Sequence, residues 1–265
     1  MVSSNLTVGT TNERIIMNKK GIVGIIDGDI LIYRSCHKAL KDNLDVTSVF
    51  DDLYDDLCEQ MACTSYSLHI SGPGNFRKNL KQGFTKYKGK RKEKPSNYNF
   101  IRDYVVKKYD TVTVPLYEAD DTACIEGTKY LKEGQLFMVA TVDKDWKMIG
   151  GLFYNMQYKS LTAIGVKEAI EYFHKQLITG DSVDNIPGLF GLGVKKAEKI
   201  VNGKSLKDQF KAIIKTYKKM HPDDYIDRLN TMGTLLYLVK DYDDEKWNIE
   251  YWNKYLDEVE NTTKI

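Results

Sequence analysis

Short apolar runs and amphipathic stretches alternate over about the first 180 residues of the chain. Gly21 to Asp27 (GIVGIID) is a brief apolar run ending in a carboxylate and a glycine. That is the pattern of a buried strand that delivers Asp27 to its C-terminal edge. Ser67 to Ile70, Thr111 to Pro115 and Leu136 to Thr141 are equally brief and rich in β-forming residues. Val46 to Met61, Asp120 to Leu131 and Lys167 to Ile178 instead space their apolar residues as helices do. The alternation predicts an α/β fold, a mainly parallel central sheet flanked by helices, with ligands gathering at the carboxyl ends of the strands. From about Asp181 the pattern turns almost wholly helical, through Leu206 to Met220 and Asp223 to Val239. Three regions are therefore expected: a loose tail over 1–18, an α/β domain over 19–180, and a helical region over 181–265.

Composition narrows the class. The chain has 265 residues, 42% of them hydrophobic, enough to bury a core of ordinary globular size. Lys and Arg (39) nearly balance Asp and Glu (37), so the formal charge of +2 says little about a polyanionic partner and the distribution of charge matters more. Cys36, Cys58, Cys63 and Cys124 form no CxxC pair and no Cys/His set has zinc-finger spacing, so they read as reduced thiols. With no apolar run of signal-peptide or membrane-spanning length, the expectation is a soluble, cytoplasmic protein with no membrane partner.

Acidic residues recur where the predicted strands end. Asp27 and Asp29 follow the first; Glu118, Asp120 and Asp121 lie in YEADD; Asp143 and Asp145 in TVDKDW; Asp181 and Asp184 in GDSVDN. In a parallel sheet these junctions converge on one edge, where so many carboxylates repel one another unless cations hold them. Oxygen-only ligands without a matching His or Cys cluster point to Mg²⁺ or Mn²⁺. Two such ions roughly 4 Å apart stabilise both the attacking and the leaving oxygen of a phosphoryl displacement. Singly, Asp120, Asp121 and Asp181 read better as helix caps than as metal ligands. Capping does not explain acids after nearly every predicted strand, so jointly the metal reading leads. Asp29 is the weakest member, either pointing away from the cleft or capping a helix over Leu31 to Ala39.

Between Arg77 and Lys94 nine basic residues face one acid, and Phe76, Phe84, Tyr87 and Tyr98 interleave with them. Rings that stack on bases and cations that track phosphates make this a candidate nucleic-acid site, although lysine runs also occur as solvated loops. Ile186 to Ile200 (IPGLFGLGVKKAEKI) places Gly191 and Gly193 between two helical segments and reads as a helix-hairpin-helix. The glycines let the backbone approach a phosphate, with Lys195 and Lys196 at the next helix N-terminus adding charge.

In order, IDGD, EADD, DKD and GDSVDNIPG followed by the GLG hairpin resemble the 5′-3′ exonuclease and flap endonuclease family, over roughly Ile22 to Val201. That family includes the N-terminal nuclease domain of bacterial DNA polymerase I and free-standing phage enzymes; IDGDILIYR, NFRK and DKDWK are most similar to the phage branch. The resemblance implies a PIN-like fold with a basic helical arch at about 76–110. It implies that Asp27, Glu118, Asp120 and Asp121 bind one metal ion and Asp143, Asp145, Asp181 and Asp184 a second. Lys88 and Arg91 would contact the scissile phosphate, Tyr87 would stack on a terminal base, and Arg77 would join the nucleic-acid surface. The hairpin would hold duplex backbone with a K⁺ ion, and the substrate would be DNA with a free 5′ end or a flap, in the host cytoplasm if the chain is phage-encoded. Many relatives carry one more Asp before the FR pair, where this chain has Ser71-Gly-Pro-Gly-Asn75.

Two other classes remain to be tested. IIDGDI also looks like the DxD motif of haloacid-dehalogenase phosphatases, with Asp27 as nucleophile, and a non-catalytic DNA-binding module would account for the basic segment and the hairpin.

Overall fold

The first apolar run forms strand β1 (Val23–Asp27), and in the computed structural model it lies in the middle of the molecule. The structure describes residues 21–80, 86–89, 93–242 and 247–262, so the expected tail over 1–18 lies outside the described residues. After β1 come α1 (Gly28–Asp42), α2 (Val46–Met61), β2 (Ser65–His69), α3 (Tyr98–Lys108), β3 (Thr111–Val112), α4 (Ala119–Glu133), β4 (Phe137–Thr141), β5 (Gly151–Asn155) and β6 (Ser160–Ile164). The chain continues through α5 (Val166–Thr179), the two-residue strands β7 (Gly180–Asp181) and β8 (Ile186–Pro187), α6 (Val194–Val201), α7 (Leu206–Met220), α8 (Tyr225–Leu236) and α9 (Ile249–Thr262).

The main sheet has the order β3-β2-β1-β4-β5-β6; every pair is parallel except β5 with β6. The mainly parallel sheet expected from the sequence is present, with an added antiparallel edge. That β5–β6 hairpin was not expected. Its turn is built without glycine, Asn155 Oδ1 accepting from the amides of Gln157 (2.9 Å) and Tyr158 (3.0 Å) while Lys159 takes φ 49°. The expected strand over Thr111 to Pro115 pairs only at Thr111 and Val112, and a proline has no amide to extend a ladder. α1 is longer than expected because Asp27 caps it, accepting from Ile30 N at 3.1 Å.

Neighbouring residues of β1 serve opposite faces. Ile26 joins Leu31, Ile32, Phe50, Ile101 and Val105 beneath α1, α2 and α3, while Ile25 joins Val139, Phe153, Phe173 and Leu177 on the other face. Burial on both faces is what a central parallel strand requires. The second core runs from Ile25 to Leu256, and α6, α7 and α8 pack on α5. At its centre Phe173 and Trp252 meet edge to face at 4.9 Å. No helix among the described residues is long and apolar enough to cross a membrane.

Candidate active site

The sheet reverses its winding between β1 and β4: the chain steps from β1 to β2 to β3 in one direction, then returns to lay β4 on the other side of β1. In open α/β sheets the crevice at such a reversal is where ligands bind. Asp27 ends β1 there, buried at 4% exposure, and Thr141 at the end of β4 donates to its Oδ2 at 2.6 Å. Burial, with the Asp29 and Asp143 carboxylates nearby, pushes the Asp27 carboxyl up to about 7. Gly28 lets α1 leave close beneath β2, since a Cβ there would sit 2.7 Å from the His69 carbonyl. Asp29 turns to β2, accepting from Ser71 Oγ at 2.5 Å and from Tyr98 Oη at 3.4 Å. Ser71, just past β2, therefore binds a carboxylate from α1.

The second group opens α4. Glu118 is the N-cap residue, forming a reciprocal capping box with Asp121, so capping accounts for these two acids at this junction. Glu118 accepts from Tyr87 Oη at 2.6 Å and is paired with the Lys88 ammonium. Burial works to raise its pKa, but Lys88 and Arg77 outweigh it and hold the carboxyl at about 2. Asp120 is pushed the other way, well above the usual carboxylate range, by withdrawal from water with Asp121 and Glu118 alongside. One carboxylate oxygen from each of the three can lie within 4.8 Å of the others.

Two expectations need correction here. Arg77 does not face solvent: at 1% exposure it grips both oxygens of Asp121 at 2.7 Å and donates to the Tyr237 carbonyl at 2.6 Å. A guanidinium enclosed in this way cannot present itself to a nucleic-acid backbone. Tyr87 is likewise buried against Glu118, so its ring offers no open face for a terminal base. Lys88 bridges two junctions, reaching Glu118 and, at 3.5 Å, Asp184, while its amide donates to the Asp184 carbonyl at 2.8 Å. Arg91 and Phe84 lie outside the described residues, as do Lys81, Lys90 and Lys92.

The third and fourth groups adjoin. Asp143 follows β4 and caps a short 3-10 turn, accepting from Asp145 N at 2.9 Å. Asp145 accepts from Tyr172 Oη at 2.9 Å and Gln176 Nε2 at 2.7 Å, both on α5, and burial together with Asp143 raises its carboxyl to about 6. Asp181 accepts from Val183 N at 2.7 Å and from Lys144 Nζ at 2.8 Å; burial raises its pKa, and the bonds from Lys144 and the turn amides bring it below the ordinary value. Asp120, Asp145, Asp181 and Asp184 line one small cleft together with Arg77 and Tyr87. Carboxylates from three separate junctions thus share one space; Asp143 lies close enough to both Asp27 and Asp145 to raise the pKa of each, although neither Asp27 nor Asp143 lines the cleft.

Lys144, Thr141, Tyr172 and Gln176 were not anticipated. Lys144 was readable from its place between the two acids of DKD; the α5 pair becomes visible only once that helix is laid against the turn. Gly191 and Gly193 lie in an exposed turn that follows β8 and leads into α6, whose first turn carries the exposed Lys195 and Lys196.

No family model matches the chain. Over 145 residues it is 27% identical to DNA polymerase I of Caldicellulosiruptor bescii, a stretch that is 47% of this chain and only 17% of that polymerase. Among solved structures, bacteriophage T5 5′-exonuclease with zinc ions bound superposes with a TM-score of 0.60 at 20% identity, covering 81% of this chain and 86% of that one. The chain has the 5′-exonuclease fold. A mutant of the T5 5′-exonuclease gives a TM-score of 0.58 at 18% identity over 82% of this chain and 85% of that one. The bacteriophage T5 flap endonuclease, in a pseudo-enzyme-product complex with DNA and metal ions, gives 0.55 at 16% identity, covering 89% of this chain and 98% of its own.

Proposed function

We propose that the chain is a divalent-metal-dependent 5′-3′ exonuclease and flap endonuclease that hydrolyses DNA phosphodiester bonds in the cytoplasm. The observation that carries this reading is the meeting of acid-bearing junctions at the carboxyl edge of the sheet, where its winding reverses, with the Lys88 ammonium among them. The donor set suits a hard cation: oxygen ligands only, close enough at Glu118, Asp120 and Asp121 to share one ion. The raised pKa values of Asp27 and Asp145 add support, since like charges crowded out of water favour a partner of opposite sign. The T5 proteins, whose structures hold metal ions and in one case DNA, support the same assignment.

In this reading Asp27, Glu118 and Asp120 hold the first Mg²⁺ or Mn²⁺, with Asp121 at the same cluster anchored by Arg77. Asp143, Asp145, Asp181 and Asp184 hold the second. When bound, the pair supplies positive charge to the phosphate and a lowered pKa to water. The protein's own groups do the rest. Tyr172 and Gln176 fix Asp145, Thr141 fixes Asp27, and Lys88, already poised between Glu118 and Asp184, meets the phosphate oxygen on which charge develops, with Arg91 assisting. The exposed turn at Gly191 and Gly193, with Lys195 and Lys196 and a K⁺ ion, positions duplex backbone.

The test is cleavage of oligonucleotides labelled at each end in turn, with and without Mg²⁺ or Mn²⁺. Cutting from the 5′ end should require the metal, and Asp143→Asn with Asp145→Asn should abolish it while leaving DNA binding. Undiminished cleavage by that double variant refutes the metal assignment. Release of phosphate from small esters through a phosphoaspartate at Asp27 would instead reveal a phosphatase, and binding without any cutting a non-catalytic module.

A further inference from the structure

The turn before α6 holds a feature that the nuclease reading leaves unused. Phe190 is 92% exposed, the highest value among the described large hydrophobic side chains, and Val194, just past the glycine pair, is 63% exposed. The segment is nonetheless firmly held. Leu189 and Ala197 are buried on either side of it, Leu189 N donates to the Ile178 carbonyl at 2.8 Å, and Leu192 N donates to the Leu189 carbonyl at 3.0 Å. Lys196 Nζ closes back onto the Gly191 carbonyl at 2.7 Å. A braced turn therefore carries an aromatic ring outward into water, although the interior begins one residue away.

Its surroundings state what it fits. From Phe190 to Lys204 there are four lysines and one acid, and Lys195, Lys196 and Lys199 are exposed. Gly191 takes φ 72°, and neither Gly191 nor Gly193 would bring a Cβ within 4 Å of another atom, so the surface around the turn is open to close approach. An apolar tip rimmed by cations matches the minor groove of a duplex, where sugar and base edges offer apolar surface between two rows of phosphates. An apolar patch without the lysines would fit a protein partner, and lysines without the ring would fit phosphate alone.

We infer that Phe190, with Val194 beside it, is a non-electrostatic contact that lodges against the minor groove of duplex DNA while the neighbouring lysines hold the flanking phosphates. The inference rests on the nuclease reading for its substrate and adds to it a residue that grips the duplex through shape.

The experiment is a salt titration of duplex binding by fluorescence anisotropy, in the cleavage-inactive Asp143→Asn, Asp145→Asn protein. Phe190→Ala should weaken binding about tenfold at every salt concentration, the loss expected for one buried aromatic side chain, with the slope of log Kd against log salt unchanged. Lys195→Ala should reduce that slope by about one phosphate contact. Phe190→Trp should retain or strengthen binding. Duplex binding that Phe190→Ala leaves within about twofold overturns this inference alone, and so does a fall in slope for Phe190→Ala matching that of Lys195→Ala. Absence of duplex binding by the parent overturns the nuclease reading and this inference together.

Discussion

Replacing Arg77 with methionine keeps most of the side chain's length and removes its charge, which separates two roles for this residue. In the structure the guanidinium is enclosed and forms two 2.7 Å bonds with Asp121 and one 2.6 Å bond with the Tyr237 carbonyl. Asp121 is fully buried, so the substitution strands a carboxylate out of water. Breaking a buried pair by removing one member costs about 3–5 kcal/mol, most of it the penalty on the partner left behind. In a domain of this size each kcal/mol lowers Tm by roughly 2–4 °C, so the melt should fall by about 6–20 °C. Thermal denaturation followed by circular dichroism reads this directly. Adding Asp121→Leu to Arg77→Met should recover part of the loss, because the stranded charge is then gone, and the two changes should be non-additive by about 2 kcal/mol. A loss below about 1 kcal/mol, accompanied by weaker duplex binding, would refute the enclosed ion pair and return Arg77 to the DNA-facing surface.

Three more outcomes follow from the same geometry. The folded Asp27 carboxyl titrates near 7 against an ordinary 3.8, so the native state holds this proton more tightly. Its contribution is complete below about pH 4, is lost as pH rises through about 7, and reaches about 4 kcal/mol at most. Metal-free parent protein should therefore lose stability over that range more steeply than Asp27→Asn, and parallel stability profiles would count against the buried carboxyl. Lys88→Ala should slow single-turnover cleavage on the order of a hundredfold while changing DNA affinity little; an unaltered rate removes Lys88 from the chemistry. Gly233→Ala would place a methyl group 1.9 Å from the Trp247 ring, so its urea midpoint should correspond to a loss of about 2–3 kcal/mol, and an unchanged midpoint would contradict the packing of Trp247 on α8.

What could be read in advance divides along physical lines. β1 and β4 announce themselves because both faces of a central strand must be apolar, which leaves a dense local pattern. The β5–β6 hairpin leaves almost none: four of the five β6 residues are exposed, and its turn uses asparagine and lysine instead of a glycine pair. The acids were legible because they recur after strands; their internal partners were not. That Arg77 serves Asp121 while Lys88 serves Glu118 and Asp184 depends on which way a segment turns after β2, and charge density along the sequence is the same for a cation facing in or out. Tyr87 misled for a related reason: an aromatic residue among lysines suggests stacking on bases, whereas here the phenol's single proton is committed to Glu118.

Helix α5 touches both halves of the molecule. Tyr172 and Gln176 aim Asp145, while between them Phe173 meets Trp252 edge to face and His174 Nε2 receives the indole proton of Trp252 at 2.9 Å. The last helix thereby steers a carboxylate it never touches. Damage near the C-terminus should therefore loosen the core around Phe173 and the aim of Asp145 together, and a search for tolerated truncations scored by solubility alone would miss the second effect.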